Sequence, residues 1–297
     1  MFILRKIGYL FLLTMLFGFG SCSNQTEKKG DVVTNDSSNT NSGVNEPLPA
    51  YYQIPSPSNL FNYLKDNGVK VSNVDLLNGV DKIKVYNTSA EKAVNFGIYS
   101  TDLFFCSAFN FKADVLKYFE VLKGLSDELG LSNVVTDRTI NRIEANLSKN
   151  DSLVNITSEV YNEAAFNLEK RNEGPTLAML IVGGWVECIY LSSKSIGTSK
   201  NNSKSVNIIA EQKLTVENLK ELLAQHANND QVASLTNKLN GVFEIYDRVE
   251  VTVVEPNIQL TKGKRVIGGS ETYSFSEANF NALLKAIESL RKDLTKN

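Results

Sequence analysis

Wound as helices, residues 89–109 and 175–193 are apolar on nearly every side, and each carries glycine and one carboxylate near its middle. A helix that is apolar all round belongs inside a protein. In the first segment Ala93, Gly97 and Thr101 form a row of small residues four apart; the second holds Ala178, Gly183 and Gly184. Glycine inside a helix costs up to about 1 kcal/mol relative to alanine. Close approach of a second helix is the usual compensation. The two segments are therefore expected to cross at the centre of one domain. A ligand touching the bare backbone is the alternative reading of the same glycines.

Both segments also hold polar groups among apolar ones. Asn95, Tyr99 and Asp102 fall on one face, spaced four and three; Gly183, Glu187 and Tyr190 repeat that spacing. A buried carboxylate must be hydrogen-bonded, paired or protonated. One expectation is that tyrosine hydroxyls or backbone groups at the crossing satisfy Asp102 and Glu187. The other is a pocket formed by Asn95, Gly97, Tyr99, Asp102, Gly183, Gly184, Glu187 and Tyr190. In it the two carboxylates would do acid–base work, as in glycoside hydrolysis. No positional motif supports the second reading, so no residue is assigned a catalytic role.

Helical periodicity runs through the rest of residues 51–297. Ser56 and Ser58 open a short helix ended by Gly68. Thr88-Ser89-Ala90-Glu91 is a capping box for the helix at 89–109. Phe111 and Lys112 start the next, stopped by Gly130, and Thr136 caps another. Asn150 and Asp151 are expected to cap a fifth helix, and Gly174-Pro175 to open a sixth. A polar loop at 192–204 precedes helices at 203–212, 215–227 and 230–250. Pro256, Gly263 and Gly268-Gly269 then break the pattern, which predicts a small hairpin within 264–275 with the glycine pair as a turn. Ser276 caps a final helix with Phe280, Leu283, Ile287, Leu290 and Leu294 in one stripe, and Phe275 stapled onto Phe280. The fold class is all-α: an irregular bundle of about nine helices with one small C-terminal β-hairpin.

Chemistry-bearing residues are sparse. His226 is the single histidine, in a polar stretch where a helix C-cap is its expected place. No zinc site and no histidine-based triad is expected, nor any cofactor. Cys106 and Cys188 lie in apolar segments and read as small core residues, a mutual disulfide being the alternative. Trp185, the only tryptophan, reads as a core anchor beside the glycine pair. Asp151-Ser152-Leu153 matches a short O-glycosylation acceptor, although a helix start explains Asp151 equally well. No Walker or Gly-x-Gly-x-x-Gly pattern exists for phosphate.

The N-terminus supplies an address. Arg5 and Lys6 precede an apolar run at 7–19, then Phe19-Gly20-Ser21-Cys22. That run is too short to span a bilayer, which takes about 20 residues. Small residues before a cysteine after such a run resemble the lipobox of bacterial lipoproteins. The resemblance implies a signal peptide at 1–21, with Cys22 as the acylated N-terminus anchoring the chain in a membrane. Ser23 in place of aspartate fits the outer membrane. The absence of an acidic run after the cysteine fits the periplasmic face, with the cell surface as the alternative. Residues 22–50 are rich in Ser, Asn, Thr and Gly and read as a disordered tether, with a root-mean-square span of about 30 Å. Cleavage leaves 29 cations against 33 acids, a formal −4 that offers no face to nucleic acid or anionic lipid.

Tyr52-Gln53-Ile54-Pro55-Ser56-Pro57-Ser58, Asn95-Phe96-Gly97-Ile98-Tyr99-Ser100-Thr101-Asp102-Leu103 and Gly183-Gly184-Trp185-Val186-Glu187 together resemble a family of uncharacterised helical bacterial lipoproteins. This resemblance implies address and fold and no activity. The expected function is a lipid-anchored, non-enzymatic binding or scaffold module of the envelope, holding a partner protein or small ligand. A periplasmic hydrolase using the carboxylate pair is the alternative.

Overall fold

The computed structural model describes residues 54–71, 74–196, 203–261 and 264–296, and the side chains of all of these except 203 and 254–270. The signal peptide, Cys22, the tether at 22–50 and the start of the Tyr52 motif lie outside the described residues. Ten helices are described: α1 Pro57–Asp66, α2 Ser89–Ala108, α3 Lys112–Glu128, α4 Asp137–Glu144, α5 Asn150–Lys170, α6 Gly174–Ile196, α7 Ser203–Glu211, α8 Lys213–Gln225, α9 Asp230–Asp247 and α10 Glu277–Thr295. Strands β1 Glu250–Thr261 and β2 Lys264–Ser274 pair between α9 and α10. The protein is an all-α bundle with one hairpin.

Helices α2 and α6 form the axis. Helices α1, α3, α5 and α10 pack around α2, while α1, α5, α7, α8, α9 and α10 pack around α6. The crossing depends on two missing side chains. A Cβ on Gly97 would run into the Leu180 carbonyl and the Gly184 nitrogen; one on Gly183 would run into the Val94 carbonyl. The Thr101 hydroxyl lies 3.0 Å from both the Gly97 and the Gly184 carbonyl oxygens, tying the helices together. The glycines thus make room for the partner helix's backbone. Helix α6 is long and apolar enough to cross a membrane, yet 94% of its apolar window is buried inside the protein, as befits a core helix.

Caps set most helix starts. Thr88 and Glu91 complete the capping box of α2, Thr136 accepts from the Thr139 amide at α4, and Ser276 accepts from the Asn279 amide at α10. Phe275 meets Phe280 at 6.3 Å between ring centres, forming the staple at the start of α10. Gly68 and Gly130 take positive φ just beyond α1 and α3. His226 is the C-cap of α8, and its ring lies against Gly174 at the start of α6.

Several expectations are corrected. Lys149, without a side-chain bond, precedes α5, and Asp151 sits in the first turn. Helix α6 continues to Ile196, taking Ser192 and Ser193 into the core instead of the polar loop. Helix α9 stops at Asp247 with Arg248 as its C-cap, and Glu250, the last expected helical residue, begins β1 instead. The hairpin is twice the expected size, and Gly268-Gly269 is no turn. Val254 pairs with Ser270 and Asn257 with Gly268, so Glu255 and Pro256 oppose Gly269 alone. Proline has no N–H for a ladder, and a bulge is where a strand tolerates one. Cys106 and Cys188 are both free and buried, which removes the disulfide alternative.

The crossing makes two opposite predictions for Gly→Ala changes. Gly97→Ala or Gly183→Ala forces backbones apart and should destabilise by about 3 kcal/mol or more in urea denaturation. Gly241→Ala on α9, where a Cβ meets nothing within 4 Å, should stabilise by about 0.5–1 kcal/mol.

Candidate functional site

The eight residues nominated from sequence are all buried, but they do not form one pocket. Gly97, Gly183 and Gly184 make the helix crossing. Asn95 faces α10: its amide donates to the Glu91 carbonyl at 2.9 Å and to the Leu294 carbonyl at 3.1 Å. Tyr99, Asp102, Glu187 and Tyr190 meet in a second place, around a residue that the periodicity passed over.

That residue is Arg291 of α10. Its guanidinium grips Glu187 with two hydrogen bonds, Nε to Oε2 at 2.9 Å and Nη2 to Oε1 at 3.0 Å. Nη2 also donates to the Leu76 carbonyl at 3.1 Å, and the Tyr190 ring lies under the cation at 4.5 Å. Glu187 is 0% exposed and Arg291 6%. The two-pronged geometry matches a planar fork to a carboxylate.

Asp102, also 0% exposed, adjoins this pair. One of its oxygens accepts from the Asn78 amide at 3.3 Å, and the other meets no donor in the protein. Burial pushes the Asp102 carboxyl well above the ordinary aspartate value. The Glu187 charge beside it pushes the same way, against a smaller pull from Arg291. The Asp102 carboxyl is thus shifted toward its neutral form, while the Arg291 guanidinium pairs with Glu187.

The same cluster fastens the connection between α1 and α2. Tyr118 donates to the Asn78 carbonyl at 2.8 Å, Tyr99 to the Gly79 carbonyl at 2.7 Å, and the Asn78 side-chain amide to the Tyr86 hydroxyl at 2.9 Å. With Leu76, three carbonyls of one loop are thus satisfied by core side chains, which a buried loop requires. Of the expected partners, tyrosine hydroxyls or backbone at the crossing, the tyrosines serve the loop instead; Asp102 accepts from a backbone amide, that of Asn78 in the α1–α2 connection, and Glu187 is held by Arg291. Both oxygens of Glu187 are engaged and both carboxyl groups are 0% exposed, and the arrangement joins the α1–α2 connection, α6 and α10.

Among the described residues no three His, Cys, Asp or Glu side chains gather as a metal-ligand set. Burial pushes both free thiols up, Cys188 with its sulfur 3.8 Å from the Pro57 carbonyl, so neither is a ready nucleophile.

An open site lies elsewhere. A cleft of about 250 Å³ runs between the start of α1 and helices α5, α6 and α7. A second hollow of about 410 Å³ adjoins it, sharing Ile54, Ser56, Tyr161 and Ile181. Tyr63, 44% exposed, lines the first and Phe166, 55% exposed, the second. Trp185 lines the cleft at 5% exposure, and among the described residues its buried indole N–H has no acceptor. It also packs on Tyr246 with ring centres 5.8 Å apart, so it is a core anchor that also lines the cleft. Two other grooves are bridged by ion pairs, Lys238–Asp293 and Lys296–Glu91 in one and Lys220–Asp247 in the other. Sequence reasoning missed the cleft because its walls come from four separated segments. Of its lining, Ser56, Trp185 and Cys188 were read as a helix start, a core anchor and a core thiol, none as part of a site.

Comparison with protein-family models, with curated proteins and with solved structures gives no match to this chain.

The cluster makes a pH-dependent prediction. Glu187→Gln leaves Arg291 buried without a counter-charge and should cost about 3–5 kcal/mol. Asp102→Asn keeps the acceptor for Asn78, and should fold. Because the folded value of Asp102 lies above the unfolded 3.8, the folded state holds the proton more tightly. The Asp102 contribution is therefore fully present below 3.8 and is lost as pH rises toward the folded value. Asp102→Asn should gain on the wild type progressively above about pH 4 in denaturation curves.

Proposed function

We propose that this protein is a lipid-anchored cell-envelope component whose helical body is a non-enzymatic binding module, with its ligand seated in the cleft beside α1. The anchor is Cys22, and the membrane is the outer membrane seen from the periplasm. The observation that carries the binding reading is Trp185, which lines an apolar cleft and whose buried indole N–H has no acceptor among the described residues. Buried polar groups are almost always paired, so an orphan donor at a cleft fits an acceptor brought by a ligand. The exposed rings of Tyr63 and Phe166 beside it add apolar contact area of the kind binding surfaces use.

The alternative, a hydrolase using Asp102 and Glu187, needs water and substrate at two carboxyl groups that are both 0% exposed. Glu187 already spends both oxygens on Arg291. Those facts favour the binding reading.

Two experiments test it. Cys22→Ser should move the protein from the membrane to the soluble fraction, and the wild-type mature N-terminus should carry the mass of acyl chains. An unmodified N-terminus at another position refutes the anchor. A photo-crosslinking residue at position 63 or 166 should form an adduct in intact cells, and one at position 80, outside the cleft, should not. Equal labelling at all three positions, or none at 63 and 166, refutes the cleft as the binding surface.

A further inference from the structure

The cleft beside α1 has one charged lining residue, Glu211 at the end of α7. Among the described residues Glu211 makes no ion pair, in contrast to the Lys238–Asp293 and Lys220–Asp247 grooves. Among the described residues no cation lines the cleft. Its walls include three aromatic rings, Tyr63, Tyr161 and Trp185, together with aliphatic and proline surface. Ring faces attract cations through their quadrupoles, and a carboxylate at the rim adds to that attraction. The same combination repels an anion. The Trp185 N–H supplies one donor without an acceptor among the described residues. A volume of about 250 Å³ lies below that of drug-sized ligands and suits a single ring with a short side chain.

Resting on the reading of this cleft as the binding site, we propose that it takes a small organic ammonium ion that also bears a hydrogen-bond acceptor. The ammonium faces Glu211 across the aromatic walls, the apolar part fills the space against Ile181 and Leu60, and the acceptor meets the Trp185 indole. A basic side chain of a partner protein is the other source of such a group, and the peptide arm of the test below separates the two.

The lone tryptophan makes the test direct, since its emission reports on this cleft alone. The probes are 2-phenoxyethylammonium, the neutral 2-phenoxyethanol and the anionic phenoxyacetate, which share a ring and an ether oxygen and differ in charge. The expected result is a saturable emission change with the cation, at least tenfold weaker binding of the alcohol, and none of the acid. Glu211→Gln, an exposed substitution that should leave unfolding unchanged, should weaken the cation at least tenfold and leave the alcohol as it was. Equal binding of cation and alcohol, or no effect of Glu211→Gln, overturns the cation assignment and leaves the cleft as a binding site. Silence with all three probes overturns the cation assignment together with the binding reading. A short lysine peptide that binds more than tenfold tighter than the free amine overturns the small-molecule assignment in favour of a protein partner.

Discussion

Everything in this body is arranged around two backbones that touch. At Gly97 and Gly183 helices α2 and α6 approach so closely that neither position has room for a methyl group. Such proximity brings the next turn of each helix together as well, and that turn carries Asp102 on one side and Glu187 on the other. The tight crossing therefore creates an electrostatic problem one turn further along. Two acids are forced together where no water reaches. Arg291 on α10 answers it by pairing with Glu187, and burial shifts Asp102 toward its neutral form.

The resolution is a means of organisation more than a source of stability. A buried ion pair gains little over apolar packing of the same shape, because desolvation offsets most of its attraction. What it does is demand partners. The guanidinium accepts only an arrangement in which Glu187, the Leu76 carbonyl and the Tyr190 ring are all in place. Three parts of the chain distant in sequence, the α1–α2 connection, α6 and α10, are thereby registered against one another. Lys296 repeats the theme at the surface, reaching the Val85 carbonyl at 2.9 Å and Glu91 at 2.8 Å.

Helix positions and the central crossing were legible in the sequence because they follow from local rules: capping boxes, apolar stripes, and glycine where only glycine fits. The partner of Glu187 was present too, although hidden. Arg291 stands four residues after Ile287 and three before Leu294, on the apolar stripe of α10, and a cation at such a place implies a buried acid. Reading the stripe by its hydrophobic members skipped it. Asn78 gave a weaker sign, an Asn-Gly pair that reads as a turn while its amide and carbonyl are spent in the core. The hairpin was undersized because glycines were read as turn residues when a proline opposite one of them made a bulge instead. The cleft left no linear trace. Its walls are assembled from positions 54 to 212, and only packing brings them face to face.

The distance between Glu187 and its counter-ion has a consequence for how the chain matures. The two are 104 residues apart, and Asp102 precedes both. Delivered vectorially from its N-terminal side, the polypeptide would present both acids long before the guanidinium emerges. The axis of the bundle cannot close around an unbalanced charge without a large penalty, so premature collapse is disfavoured while α10 is still missing. A core wired in this way stays unfinished until the helix that carries the counter-ion is in place.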